Sequence, residues 1–113
     1  MNALKPTKET YNEMQVAYEF FNENLFCDSL PNCLITLQRE KRTLGYYSPD
    51  RFVNKSQIKT DEIAMNPSYF SIRSIEETLS TLVHEMVHLW QEHFGKPGRA
   101  RYHNKEWADK MGY

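Results

Sequence analysis

Two histidines lie four residues apart, with a glutamate next to the first, in the sequence His84-Glu85-Met86-Val87-His88. In an α-helix this spacing places both imidazoles on one face about one turn apart, where they can bind the same metal ion. The pattern is typical of zinc hydrolases, in which three protein ligands leave a position for water and the metal lowers its pKa toward ~7. Glu85 is the carboxylate that would take that water's proton. The motif therefore predicts a zinc-dependent hydrolase, and more specifically a protease.

A catalytic zinc needs a third protein ligand besides His84 and His88. His93 is discounted because five residues correspond to roughly 140° around the helix axis, which points it away from His88. His103 is favoured because it follows a Gly-Lys-Pro-Gly turn that could reverse the chain. Glu106 is the competing ligand, or a residue that orients a ligand through a hydrogen bond.

The helix that carries the motif is predicted from its ends and its apolar period. Residues 74–77 (SIEE) match a capping box, and Gly95 ends the helix. His93 lies on the apolar face, where a histidine is usually part of the core, whereas His84 and His88 lie outside that face. The apolar face comprises Ile75, Leu79, Leu82, Met86, Leu89 and Trp90.

The remaining elements are predicted from apolar spacing and β-forming residues. An amphipathic helix is expected from about Thr7 to Leu25, with an aromatic stripe in the core. Strands are expected at residues 33–38, 43–48 and 62–66, with a long loop over residues 49–60. A short final helix carries Trp107 and Met111. The helical stripe consists of Tyr11, Met14, Tyr18, Phe21 and Leu25.

The 113 residues are enough for one domain, which we expect to span residues 1–113 with an α+β fold. The sequence has no signal-peptide pattern and no apolar run of the ~20 residues that a membrane span needs. We therefore expect a soluble cytoplasmic protein without membrane contact, associated with the nucleoid if it acts on DNA. Cys27 and Cys33 are interpreted as reduced thiols because no secretory signal is present.

Further segments accompany the histidine motif in a characteristic order. They are the aromatic N-terminal helix, the strand after Leu30-Pro31, Gly45-Tyr46-Tyr47, residues 63–67 (IAMNP), residues 81–88 (TLVHEMVH) and residues 103–107 (HNKEW). In these segments, which run through most of the chain, the sequence resembles the SprT-like, Spartan-related family of zinc metalloproteases. The last segment corresponds to the family's His-Gly-x-x-Phe-like element.

The resemblance implies a minimal zincin-like metalloprotease domain, with His84, His88 and His103 as zinc ligands and Glu85 as general base. It also implies cleavage of DNA-associated or DNA-crosslinked proteins, often stimulated by DNA. Better-known members continue into a zinc ribbon or a basic DNA-binding region, whereas this chain stops at Tyr113 without Cys-x-x-Cys pairs. It would be either a minimal catalytic domain or part of a longer protein.

The strand around Gly45 and Tyr46 is expected to form the upper edge of the substrate cleft. An extended protein substrate would add to it as a further strand, and Gly45 would permit close backbone approach. A glycine that only allows a bend explains the same residue equally well. In this mechanism Glu85 would carry the water's proton to the leaving amine.

The net charge of −1 gives the whole chain no bulk attraction for nucleic acid. Residues 95–113, however, contain five basic and two acidic side chains, a balance of +3. We therefore predict weak, salt-sensitive binding of single-stranded DNA through Arg99 and Arg101. Three exposed aromatic candidates for base stacking are Tyr46, Tyr47 and Tyr102.

Two other functions fit the same residues. One is a DNA-independent zinc peptidase or amide hydrolase that acts on small substrates. The other is a non-catalytic binding module in which zinc only fastens the segment of His103 to the helix, although such a module has no need of Glu85.

Overall fold

The computed structural model describes residues 8–39, 42–96 and 105–112, and these residues form an α+β fold. In this part of the chain the helices are α1 (Lys8–Leu25), α2 (Ile75–Phe94) and α3 (Lys105–Met111), and the strands are β1 (Cys33–Leu37), β2 (Gly45–Val53) and β3 (Lys59–Met65). A 3-10 turn at Pro67–Tyr69 precedes α2. This is the arrangement of a small zincin-like domain, so the predicted fold class is confirmed. None of the described helices is long and apolar enough to cross a membrane.

The three strands form a mixed sheet in the order β1-β3-β2. β1 runs parallel to β3 with Leu37 opposite Met65, and β2 runs antiparallel to β3 with Gly45 opposite the same Met65. Cys33 and Leu37 are buried, whereas Leu34 between them is 46% exposed on the other face. Because α1 packs against β1 and α2 packs against β2 and β3, the helices cover the buried face.

The predicted loop over residues 49–60 is wrong, because β2 continues to Val53 and β3 begins at Lys59. The pairing between β2 and β3 is interrupted between Ser48 and Phe52, where β2 bulges. A bulge on an edge strand tolerates proline, so Pro49 fits there without breaking the strand. The turn is short and closed by Asn54, whose Oδ1 accepts hydrogen bonds from the N–H groups of residues 56 and 58.

Helix α1 agrees with the prediction, but its buried stripe differs. Met14 and Tyr18 are buried, while Tyr11 and Leu25, which we expected in the core, are 41% and 51% exposed. Asn22 is buried instead, because its side chain accepts a hydrogen bond from the N–H of Leu30 and donates one to the Leu30 carbonyl. These bonds satisfy the backbone N–H and carbonyl of Leu30 in the loop that connects α1 to β1.

Helix α2 begins as predicted. The Ser74 hydroxyl accepts a hydrogen bond from the Glu77 N–H at 3.1 Å, and the Glu77 carboxylate accepts one from the Ser74 N–H at 2.9 Å. The buried apolar residues Leu82, Met86 and Leu89 then join the core. The N-terminal end of the motif helix is thus fixed by its own sequence, and its apolar face is fixed by packing.

Cys27 and Cys33 are both free thiols, in agreement with their interpretation as reduced cysteines. Cys27 is exposed and Cys33 is buried. Burial raises the pKa of the Cys33 thiol to about 12, with a further contribution from the nearby carboxylate of Asp61. Cys33 therefore stays protonated near neutral pH and packs as a small apolar side chain.

Candidate metal centre

His84 and His88 lie on the same face of α2, with their ring centroids 5.5 Å apart. His88 is buried, and His84 is partly buried. The indole of Trp107 on α3 packs against both rings, with centroid distances of 4.5 Å to His84 and 5.3 Å to His88. Trp107 is itself only 1% exposed. Helix α3 therefore shields the two imidazoles from solvent and restricts their orientation.

The sequence placed Trp107 on the final helix but did not identify it as a wall of the histidine site. Its contacts with His84 and His88 join residues about twenty positions apart, and helical periodicity carries no information about such contacts. The available signal was a tryptophan four residues after the candidate ligand His103, and it appeared only as part of the family-like segment.

Glu85 is buried, with 7% of its surface exposed. This burial disfavours the charged form and raises the pKa of the carboxyl to about 7. A group with a pKa near 7 can both accept and donate a proton at neutral pH, which is the requirement for a general base that later acts as an acid. A cation bound at the adjacent histidines would favour the carboxylate form.

The candidates for a third metal ligand lie between the end of α2 and the start of α3. His103 lies outside the described residues. Glu106, the competing ligand, accepts hydrogen bonds at its Oε1 atom from the Lys96 N–H at 2.6 Å and from the Gln91 side chain at 2.9 Å. These two hydrogen bonds hold the pKa of Glu106 below its usual range, and the bond from Lys96 has the larger effect. The Glu106 carboxylate thus connects α3 to the C-terminal end of α2.

The described residues bring together two side chains that could bind a metal. Imidazole nitrogen is a preferred zinc ligand, and the His84 and His88 rings have the spacing and shielding that a shared metal requires. Residues 8–39, 42–96 and 105–112 contain no cluster of three or more His, Cys, Asp or Glu side chains that could hold a metal. The two histidines therefore fit zinc by their chemistry, and a complete ligand set would need a residue from outside these ranges.

His93 points toward the sheet. Its Nε2 atom lies 2.6 Å from Oδ2 of Asp61 on β3, and its side chain is 36% exposed rather than part of the core as we expected. Asp61 also accepts hydrogen bonds from the Tyr47 hydroxyl at 2.6 Å and from the Asp50 N–H at 2.8 Å. This cluster joins the C-terminal part of α2 to both β2 and β3.

Asp61 remains an acceptor because of these bonds. Burial raises its pKa, but the hydrogen bonds from Tyr47, Asp50 and His93 outweigh burial and hold the pKa below its usual value. Conversely, burial and the bond to Asp61 raise the pKa of Tyr47 far above the usual range for a phenol. Tyr47 is only 7% exposed, so its expected role as an exposed stacking residue is wrong.

Gly45 and Tyr46 begin β2, which lies at the edge of the sheet. A Cβ atom added to Gly45 would lie 2.8 Å from the carbonyl oxygen of Ala64 and 3.4 Å from Thr81 on α2. Close approach rather than a bend thus explains this glycine, and the neighbour is the protein's own β3 and α2. Tyr46 pairs with Ala64 and is partly buried. Since Thr81 precedes His84 by less than one turn, this edge starts beside the histidine motif.

Arg99, Arg101 and Tyr102 lie outside the described residues. The structure adds a basic surface that the sequence prediction missed, at the hairpin that joins β2 and β3. Residues 51–59 contain Arg51, Lys55 and Lys59 and no acidic side chain. The exposed side chains of Phe52, Val53 and Ile58 accompany them. In the sequence, this run between two short β-forming segments could have indicated a hairpin. We interpreted it as a loop instead.

Comparison with known proteins agrees with this fold and motif. The model of the SprT-like family matches residues 13–112 of this chain. The chain is also similar to a Salmonella typhimurium protein described as "Uncharacterized protein in mucB 3'region", with 64% identity over 59 residues, which cover 51% of this chain and 80% of that protein. The family match includes both histidines of the motif, Glu85 and the helix that carries Trp107. The chain therefore belongs to the SprT-like family.

Proposed function

We propose that this protein is a zinc-dependent endopeptidase that cleaves proteins associated with or crosslinked to DNA. The observation that carries the proposal is the pair His84 and His88 on one face of α2, 5.5 Å apart and shielded by Trp107, next to the buried carboxyl of Glu85. Membership of the SprT-like family supports the peptidase-like assignment.

His84 and His88 would hold the zinc ion, with His103 as the third ligand. When bound, zinc would polarise the peptide carbonyl and lower the pKa of the attacking water. Glu85 would accept the proton of that water and donate it to the leaving amine. Trp107 would keep the two imidazoles in place and exclude bulk water from one side of the site.

The substrate would bind along β2. In the described part of the chain β3 is the only strand beside β2, so its other edge is available for an extended segment. Binding by strand addition relies on main-chain hydrogen bonds and gives weak sequence preference. Because Gly45 at the start of β2 lies beside Thr81, such a segment would reach the histidine motif from the adjacent edge.

Single-stranded DNA is the proposed nucleic-acid partner, bound through Arg99 and Arg101 and through the β2–β3 hairpin. Lys55 and Lys59 on the hairpin are exposed, and in residues 8–39, 42–96 and 105–112 neither forms an ion pair. Arg51 is partly compensated, since its Nε lies 3.4 Å from Oε1 of the buried Glu62. Asp61, two residues after Lys59, contacts His93 near the C-terminal end of α2.

Substitution of Glu85 by glutamine tests the proposed catalysis. Glutamine keeps the size of the side chain but cannot accept the proton, so we expect the fold and zinc content to persist while cleavage of an unfolded protein substrate falls by ~10² or more. The wild type and variant are compared with and without single-stranded DNA.

Equal cleavage by both proteins would remove Glu85 from the mechanism. Cleavage that DNA does not stimulate would favour a DNA-independent zinc peptidase, and zinc binding without any cleavage would favour a binding module.

A further inference from the structure

An open apolar groove lies between α1 and the first turns of α2, away from the histidine site. The cavity has a volume of about 510 Å³ and is lined by apolar side chains and by Glu13. Val16, Phe20 and Ile75 are the most exposed of the large apolar side chains in the lining, at 63%, 58% and 62%. The apolar lining comprises chiefly Val16, Ala17, Phe20, Phe21, Ile75 and Leu79. We call this surface the α1–α2 groove.

The α1–α2 groove and the histidine site lie on opposite sides of α2. Ile75 and His84 are nine residues apart, which corresponds to roughly 180° around a helix axis. A change in the groove therefore leaves the contacts among His84, His88 and Trp107 intact. A ligand in the groove would be bound independently of the proposed hydrolysis.

The charge around the groove is acidic. Residues 8–25 contain four glutamates and one lysine, a net charge of −3. Glu13 lines the cavity directly, and the exposed Glu76 follows Ile75 on α2. An acidic rim repels nucleic acid and anionic membrane surfaces. It also disfavours a second copy of this chain, because a two-fold symmetric contact would bring the same glutamates together.

The groove has the dimensions of a helix-binding site. Its lining on α1 runs from Asn12 to Phe21, which corresponds to a length of about 14 Å at ~1.5 Å per residue. That length matches about two and a half turns of a partner helix. Val16 and Phe20 are one turn apart, so they can contact apolar residues with i, i+4 spacing on such a helix.

We propose that the α1–α2 groove binds an amphipathic helix of a protein partner. The apolar face of that helix carries residues at i, i+3 or i+4, and i+7 spacing, which fill the space beside Phe20 and Ile75. Lysine or arginine residues flank that face and lie against Glu13 and Glu76. Apolar contact provides the affinity, and the acidic rim selects basic helices over neutral or acidic ones.

A fluorescein-labelled 14-residue helical peptide with leucines on one face and lysines on the other is the probe. Its binding to the Glu85→Gln protein is followed by anisotropy, so the peptide is not consumed by cleavage. We expect Phe20→Ser to weaken binding about tenfold or more. Glu13→Lys should weaken it mainly at low salt. Leu34→Ser is the matched control, because Leu34 is a similarly exposed apolar residue on β1. Thermal unfolding establishes that each variant is folded.

The proposal is overturned if Phe20→Ser and Leu34→Ser bind the peptide with the wild-type affinity. It is also overturned if a peptide with glutamate in place of lysine binds equally well, since the acidic rim would then select nothing. A rearranged peptide of the same composition, with leucines spread around the helix, should bind at least about tenfold more weakly. Dimerisation of the protein that Phe20→Ser abolishes would assign the groove to a second copy and contradict the proposal.

Discussion

The cluster around Asp61 gives a quantitative prediction about stability. Asp61 is 4% exposed, and its carboxylate accepts three hydrogen bonds. The donors are the Tyr47 hydroxyl, the Asp50 N–H and the His93 ring. Asparagine at position 61 has a single acceptor oxygen, so at least one of these donors loses its acceptor. A hydrogen bond to a charged group contributes about 1.5–3 kcal/mol, and an unsatisfied buried donor adds to its loss. We therefore expect Asp61→Asn to lower the free energy of unfolding by about 2–4 kcal/mol at pH 7.

The same substitution should have a pH-dependent effect. The pKa of Asp61 is lower in the folded protein than in the unfolded chain, where it is about 3.9. Its contribution to stability is therefore fully present above that unfolded value and is lost as the pH falls through the folded value. The difference between the wild type and Asp61→Asn should shrink when unfolding is measured at pH 3 instead of pH 7.

Urea unfolding of both proteins at the two pH values measures this difference. Asp50→Asn is the matched control, since it removes an equal charge from an exposed side chain while keeping the N–H that Asp61 accepts. The reasoning is refuted if Asp61→Asn costs no more than Asp50→Asn at pH 7. A large loss that is the same at both pH values would show that shape rather than charge stabilises the cluster.

Two further predictions concern the sheet edge and DNA. Gly45→Ala should lower the free energy of unfolding by about 1–3 kcal/mol, because the added Cβ would press on the Ala64 carbonyl. Chemical denaturation measures this loss. Unchanged stability would show that the strand shifts freely. Arg99→Glu with Arg101→Glu, and separately Lys55→Glu, should weaken single-stranded DNA binding at low salt without changing zinc content, as measured by fluorescence titration and metal analysis. Unchanged DNA affinity in all of these variants would contradict the proposed DNA surface.

The local features of the chain could be predicted from the sequence. The capping box at Ser74 and the one-turn spacing of His84 and His88 depend on residues three or four positions apart, and both are present in α2. The burial of Asn22 could not be predicted, since its hydrogen bonds reach the loop after α1.

Long-range contacts account for the other differences. Asp61, Tyr47 and His93 come from three separate elements, so only the packing of α2 on the sheet brings them together. The β2–β3 hairpin was missed because Pro49 is a strand breaker in most positions, whereas the bulge of an edge strand accepts it. The hydrogen bonds that Glu106 accepts from Gln91 and Lys96 join residues at least ten positions apart, so they could not be predicted from local spacing.

The zinc content of three purified proteins tests the central claim most directly. The wild type, Glu106→Ala and His103→Ala are loaded with zinc, freed of excess metal and measured by elemental analysis. A site formed by His84, His88 and His103 predicts one zinc per chain in the wild type and in Glu106→Ala, and loss of most of the zinc in His103→Ala. Full zinc in His103→Ala together with loss in Glu106→Ala would contradict this ligand set, and a wild type without zinc would contradict the metal centre itself.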